Sequence, residues 1–490
     1  MFESIINTIN DIVWSNALIG VALFSGVFYS FKTKFVQLRM FKEMLRLLFG
    51  GKSSERGVSS FQAFAIAISG RVGTGNIAGV ATAIALGGPG AIFWMWVIAF
   101  LGSASAFVEA TLGQLYKENK GGEYRGGPAY YIERGLGIKW FATLFAIATV
   151  LSTALFLPGV QANSIAAGVN SAFNIDPIYT GLAIIAFLAL IVFGGVKRIG
   201  KFSEVVVPFM AIAYVLVAVI IIGINFKEIP SVISLIISSA FGADQAFGGI
   251  VGMAIMWGVK RGIYSNEAGQ GTAPHAAAAA EVSHPAKQGL VQAFSVYIDT
   301  LFVCTATAFM ILFTFQYNVI DPDGGFIAEN LPGVNFGPEY TQMAIESQFP
   351  GFGKIFVAIS LSFFAFTTIM AYYYIAETNV SYLDHENKKK WMIWGLRVLI
   401  LGATFYGAIK SAALAWTMGD IGVGMMAWLN FIAIFLLRKP ALAMLRDYEN
   451  QKKAGIEEPI YDPDQSTEGN FDTSNLDIWR RISARFKEEK

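Results

Sequence analysis

Residues 69–80 read SGRVGTGNIAGV, and they lie inside an otherwise apolar segment, 61–87. Such a segment is long enough to cross a hydrocarbon core, which takes roughly 20 residues. Gly70, Gly73, Gly75 and Gly79 interrupt it, and each glycine costs about 1 kcal/mol against alanine in a helix interior. Free backbone groups at membrane depth persist only where they line a cavity or are buried in protein. Close helix packing would account for the glycines alone. Arg71, Thr74 and Asn76 stand among them, and polar groups this expensive at such depth point to a ligand or ion pathway.

The rest of the chain has the same character. Of 490 residues, 54% are hydrophobic and 14% charged, against about 25% charged in a soluble domain. About eleven spans are expected from hydropathy, at 17–31, 61–87, 89–115, 140–170, 177–196, 202–224, 247–282 (long and broken), 287–316, 352–382, 391–409 and 412–437. The stretch from Ala17 to Phe31 lacks a basic leading region and a small-residue cleavage site, so it reads as a true span. Net charge is +1, with the cations confined to particular loops, so nucleic acid is not an expected partner. Cys304, the single cysteine, can form neither an intrachain disulfide nor a cysteine-based metal site, and reads as a packing residue.

Orientation follows from the basic loops. Lys32, Lys34, Arg39, Lys42, Arg46, Lys52 and Arg56 follow the first span with only Glu43 and Glu55 against them, which places that loop in the cytoplasm and the N-terminus outside. Alternation puts Lys117–Arg134, Lys197–Lys201, Lys388–Lys390 and Arg438 with Lys439 on the same side. The loops 225–246 and 318–351 fall outside, with Lys227 their one cation and acids such as Asp321, Asp323 and Glu339. From about Ala441 the tail is polar and mixed in charge, with Pro459, Asp462 and Pro463, and is expected to be a cytoplasmic, partly disordered appendage without chemistry of its own.

The seventh span repeats the interrupted pattern. FGGIVGMAIMWG is followed by VKRGIYSNEAGQGTAPHAAAAA, and this second break stands five spans after the first, running the opposite way across the bilayer. An all-α architecture follows: residues 1–60 form an extra N-terminal helix and basic loop, 61–224 and 247–437 form two inverted five-helix repeats that each open with a discontinuous helix, and 438–490 form the tail. That arrangement belongs to transporters that bind substrate near the midplane. A channel would need a continuous polar pore or rings of charge. Neither GxSxG, HExxH nor a Walker loop is present, which argues against a membrane enzyme or an ATP-driven pump.

GRVGTGNIAGV and GVKRGIYSNEAGQGTAPHAAAA resemble the signature segments of the alanine/glycine:cation symporter family, and the likeness extends over nearly all the spans. The resemblance implies the inverted-repeat fold of the sodium-coupled leucine transporter with one added N-terminal helix. It also implies sodium-coupled symport of alanine or glycine across the plasma membrane of a prokaryote, with the coupling ion in place of any cofactor. Proton coupling, with Asp299 as carrier, is the alternative.

A broken helix presents free N–H groups and the positive end of a half-helix dipole, about half a charge, which suit a carboxylate. Thr74, Gly75 and Asn76 are the expected carboxylate contacts. Ser69 and Gly70, just before the break, would offer carbonyl oxygens to sodium. Thr367 and Thr368, in FFAFTTIMAYYY, match the paired hydroxyls that complete a sodium site in the leucine-transporter fold; a threonine hydroxyl also commonly bonds the carbonyl three or four residues back. Asp299, in VYIDTLFVC, either ligates a cation with Asn76 or pairs with Arg71 or Lys260. Gln161 would bond substrate across the cavity or join helices. Trp257, directly before Gly258 at the second break, would close over a small side chain or serve as packing. His275 and His284 lack partners at metal spacing and are expected in satisfied polar roles rather than on zinc.

Overall fold

In the computed structural model the described residues are 2–49, 57–192, 195–384, 390–466, 468 and 471–488. Lys52, Arg56, Lys388 and Lys389 lie outside them, as do the side chains of Lys197, Arg198 and Lys390. Among the described residues, 8 helices are long and apolar enough to cross a membrane: Ser4–Lys32, Gly90–Leu115, Lys139–Phe173, Ile199–Ile224, Pro285–Phe313, Gly353–Leu383, Trp391–Ile409 and Ala412–Leu436. Pro177–Val192 is a shorter apolar helix. The two remaining apolar segments are the interrupted ones, and both are broken in the fold.

Apolar side chains face outward as well as inward. On the helix Ile199–Ile224, Phe209, Ile212, Leu216 and Val219 are all exposed, a stripe at helical spacing that only a lipid environment accommodates. Inside, glycines set how closely the helices approach. Gly102 would bring an added Cβ to 2.9 Å from the Ala268 Cβ, and Gly113 to 2.7 Å from the Pro274 carbonyl oxygen. The helix Gly90–Leu115 is thereby pressed against the second broken segment.

Two two-stranded hairpins, Glu118–Lys120 with Glu123–Arg125 and Asn318–Ile320 with Phe326–Glu329, sit in the loops. The tail departs from its expected disorder. Residues Arg438–Lys453 and Asp477–Glu488 are helices, and Leu476, Trp479 and Ile482 are buried. Its mixed charge reads as disorder only until the partners are known: Arg39 pairs with Glu449, Arg46 with Glu458 at 2.6 Å, and Arg485 with Glu281. Those pairs also put the basic loop after the first span and the tail on one face of the molecule.

Candidate functional site

The first broken helix starts on a capping box, Ser59 bonding the Gln62 N–H and Gln62 reaching back to the Ser59 N–H. It runs as Ser60–Arg71, leaves helical geometry at Val72 (φ −79, ψ 91), and resumes as a π-helical turn, Gly75–Gly79, followed by Val80–Gly87. Two amides freed at the break are met by side chains: the Gly73 N–H donates to Asn76 Oδ1 at 2.8 Å and the Thr74 N–H to Gln161 Oε1 at 3.0 Å. Gln161 thus reaches the break itself. Thr74, Gly75 and Asn76 are all buried.

The second broken segment corrects the sequence reading. Its helix, Val251–Asn266, continues straight through Gly258, where an added Cβ would lie 2.6 Å from the Trp94 Cβ; this glycine serves close packing. The break falls later, at Glu267–Thr272, where Glu267 (φ 55), Gly269 (φ 80) and Gly271 (φ 88) take left-handed conformations before Ala273–Ala279. Trp257 therefore stands within a regular helix, its ring 5.1 Å from Lys260 Nζ and 5.2 Å from the Arg261 guanidinium. Tyr264 stands at the break instead, with Cδ1 3.3 Å from where a Gly75 Cβ would sit.

The breaks are joined through Asp299, which lies on the π-helical stretch Tyr297–Cys304. Asn76 Nδ2 donates to Asp299 Oδ1 at 2.6 Å, the Ser265 hydroxyl to Oδ1 at 3.1 Å or Oδ2 at 3.0 Å, and the Thr300 hydroxyl to Oδ2 at 2.7 Å. The ion-pair alternatives fall away: Arg71 donates to the Gln292 carbonyl at 3.1 Å and to the Ser295 hydroxyl, while Lys260 and Arg261 both hold Asp420, at 2.8 and 2.6 Å. Among the described residues no basic group lies within ion-pair distance of this buried carboxylate, whose partners are all neutral donors. Cys304, expected as packing, has Sγ 3.3 Å from Asn76 Nδ2 and 3.2 Å from the Ser265 hydroxyl.

A second oxygen-rich cluster forms where the helix Gly353–Leu383 crosses the first break. Thr368 Oγ1 lies 2.8 Å from the Ser69 carbonyl oxygen, 3.0 Å from that of Phe364 and 3.4 Å from that of Val72. One hydroxyl proton serves one acceptor at a time, so three carbonyls and a hydroxyl converge with more acceptors than donors. Buried oxygen sets of this kind suit a hard cation. Thr367 is beside it, its hydroxyl donating to the Phe364 carbonyl at 2.9 Å. Beside Ser69 it is the carbonyl of Val72 that lies within reach of Thr368; at Gly70 an added Cβ would sit 3.3 Å from Glu267 Oε2.

Residues passed over in the sequence complete the picture. Ser265 stands within GVKRGIYSNEAGQGTAPHAAAA as a polar residue in an apolar span. Glu109, buried on Gly90–Leu115, accepts the Gly269 N–H at 3.1 Å, the Gly271 N–H at 3.0 Å and Asn430 Nδ2 at 2.7 Å. It secures the amides of the second break; the rule that singled out Asp299, an acid inside an apolar run, applies equally to it. His275 Nδ1 lies 2.9 Å from the Thr272 carbonyl and Nε2 2.8 Å from Asn379 Nδ2, the satisfied role expected of it.

Comparison with known proteins agrees with this architecture. Residues 1–463 match the model of the sodium:alanine symporter family. YrbD of Bacillus subtilis (strain 168), named for sodium/proton-dependent alanine carriage, is 62% identical over 97% of each chain. The sodium/proton-dependent alanine carrier protein of Bacillus sp. (strain PS3) is 54% identical over 91% of this chain and 99% of its own. In fold, the chain resembles MhsT crystallised with L-phenylalanine, with a TM-score of 0.54 at 15% identity, covering 80% of this chain and 99% of that one.

Proposed function

The chain belongs to the sodium:alanine symporter family, and from that premise we propose that it carries alanine, with glycine as a second substrate, together with sodium, by alternating access about its two broken helices. It is a multi-pass membrane transporter, not an enzyme. The relatives' names support alanine and leave the ion as sodium or proton. One observation carries the site: Asn76 bridges the freed Gly73 amide and the Asp299 carboxylate, which has no basic partner among the described residues, while the neighbouring Thr74 amide is held by Gln161. In this reading the substrate carboxylate takes the amides of 73–75 with Asn76 and Gln161, and Asp299 ligates a cation beside it. Sodium takes the Ser69 and Val72 carbonyls with Thr368 and Thr367. Orientation is part of the proposal: the face shared by the basic loop and the tail is cytoplasmic, and the N-terminus lies outside a prokaryotic plasma membrane.

The test is labelled alanine and glycine uptake into proteoliposomes under an inward sodium gradient, repeated with choline in place of sodium and then with an inward proton gradient alone. Uptake that requires sodium supports the reading. Equal uptake in choline driven by protons would transfer the coupling role to Asp299, whose lack of a basic partner is the observation favouring that alternative.

A further inference from the structure

We propose that the C-terminal tail is a clasp that holds one face of the transporter closed, and that each transport cycle requires its release. The tail leaves the helix Ala412–Leu436 and runs along the face as Arg438–Lys453. It then grips the turn that follows the second broken segment. The Ser283 hydroxyl donates to the Pro459 carbonyl at 2.7 Å and the Tyr461 N–H to the Ser283 carbonyl at 2.9 Å. His284 Nε2 lies 3.0 Å from Asp447 Oδ2, and Lys287 pairs with Glu458.

Its far end grips a different element. The Trp479 indole, fully buried, aims Nε1 at the carbonyls of Gln114 and Leu115, at 3.2 and 3.1 Å. These belong to the last turn of Gly90–Leu115, where helix carbonyls lose their regular intrahelical partners; that of Gln114 also takes the Lys117 N–H, at 3.4 Å. Asn475 Nδ2 donates to the Arg134 carbonyl at 2.9 Å and Arg134 returns a bond to the Asn475 carbonyl at 3.0 Å. Arg485 pairs with Glu281.

What lies beneath is the seam that must part. The Val58 N–H donates to the Ala279 carbonyl and the Glu281 N–H to the Val58 carbonyl, both at 2.9 Å, so the entry to the first broken helix is tied to the exit of the second. Gln114 Nε2 reaches the Ala277 carbonyl and, at 3.0 Å, that of Ala280, where Lys117 Nζ also donates at 2.9 Å. Lys117 Nζ is 5.1 Å from the Trp479 ring centre. Opening a path on this face by moving one half against the other separates these segments of chain, and the tail spans the contact between Gln114 and Ala280, held on one side by Trp479 at Gln114 and Leu115 and on the other by Arg485 at Glu281. Its exposed pairs, such as Lys487 with Asp462 at 2.6 Å, contribute little; the hold is the buried Trp479 with Leu476 and Ile482.

Cross-linking tests it. Glu281→Cys with Arg485→Cys in the full chain, bridged by a flexible bis-methanethiosulfonate that forms one disulfide to each cysteine with loss of methanesulfinate, should stop labelled-alanine uptake into proteoliposomes, and reduction should restore it; each single cysteine serves as control for reaction at Cys304. Quantitative cross-linking with uptake unchanged would overturn the clasp. In a second arm, Trp479→Ala is combined with Ala277→Cys, a buried reporter on the seam. Thiol reactivity at 277 should rise severalfold over the same reporter with Trp479 intact; equal reactivity overturns the proposal. That arm reads opening without reference to the substrate, so a wrong assignment of alanine leaves it intact.

Discussion

Thr368→Val removes one hydroxyl and keeps the side-chain shape. In the folded chain that hydroxyl is within bonding reach of the carbonyls of Ser69, Phe364 and Val72. Losing a hydrogen bond between neutral groups costs about 0.5–1.5 kcal/mol, and a contact to a charged group about 1.5–3 kcal/mol. With sodium bound, the second figure applies, because the ligand lost is to an ion. At 1.4 kcal/mol per tenfold, the sodium concentration for half-maximal alanine uptake should rise by roughly 10- to 100-fold, while thermal stability falls by no more than the first figure allows. Thr367→Val should do less, since its one bond is to Phe364 in its own helix. The assay is initial alanine uptake against sodium concentration, with a melting curve on the same preparation. A Thr368→Val protein that melts as the native one does and keeps its half-saturation by sodium would remove this cluster from the coupling site.

Asp299→Asn should abolish concentrative uptake, because the replacement amide adds a donor facing Ser265 and Thr300, both already donors; uptake retained at native rate would relegate Asp299 to a structural role. Tyr264→Ala should let valine and leucine compete for labelled alanine uptake, because its ring abuts Gly75, whereas Trp257→Ala should leave selectivity unchanged, and the reverse result would restore Trp257 to the pocket. Burial holds the His284 imidazole below its ordinary 6.5, so between that value and its docked one the undocked state, in which the tail no longer covers His284, binds the extra proton. Docking should therefore weaken as pH falls below 6.5. The geometry agrees, since His284 Nδ1 accepts the Ala286 N–H at 3.1 Å and a protonated ring cannot. Limited proteolysis of the tail across pH should show this, and His284→Gln should flatten it. A cysteine at Lys42, which is exposed, should resist an impermeant reagent applied outside intact cells; labelling there would invert the proposed orientation.

Much of the architecture was legible because its cause is local. A run of apolar residues long enough to span a bilayer has few other fates, and glycines beside polar residues inside such a run announce a break in the helix. Gly73, Thr74 and Asn76 were found that way. The second break was misplaced by the same rule, because glycine has two uses at membrane depth. At Gly258 it clears space for Trp94 on a neighbouring helix, and at Gly269 and Gly271 it permits positive φ; composition does not tell these apart, since the neighbour that needs the space is far away in the chain.

Partners at long range explain the other gaps. Asp299 was conspicuous as a charge, but choosing between cation ligand and ion pair required knowing that Arg71 is engaged by Ser295 and Lys260 by Asp420. Glu109 was equally conspicuous, and its task, holding two amides of a loop that lies about 160 positions later in the chain, leaves no local mark. The tail is the extreme case. Its polarity and its prolines are those of a disordered segment, yet Trp479 finds two carbonyls at a helix end and its charges find opposite charges 410 and 204 positions away in the chain. Disorder read from composition assumes that a segment must supply its own core. A segment that borrows the core of a large neighbour escapes the assumption, and an isolated buried tryptophan in a polar tail is the sign to look for.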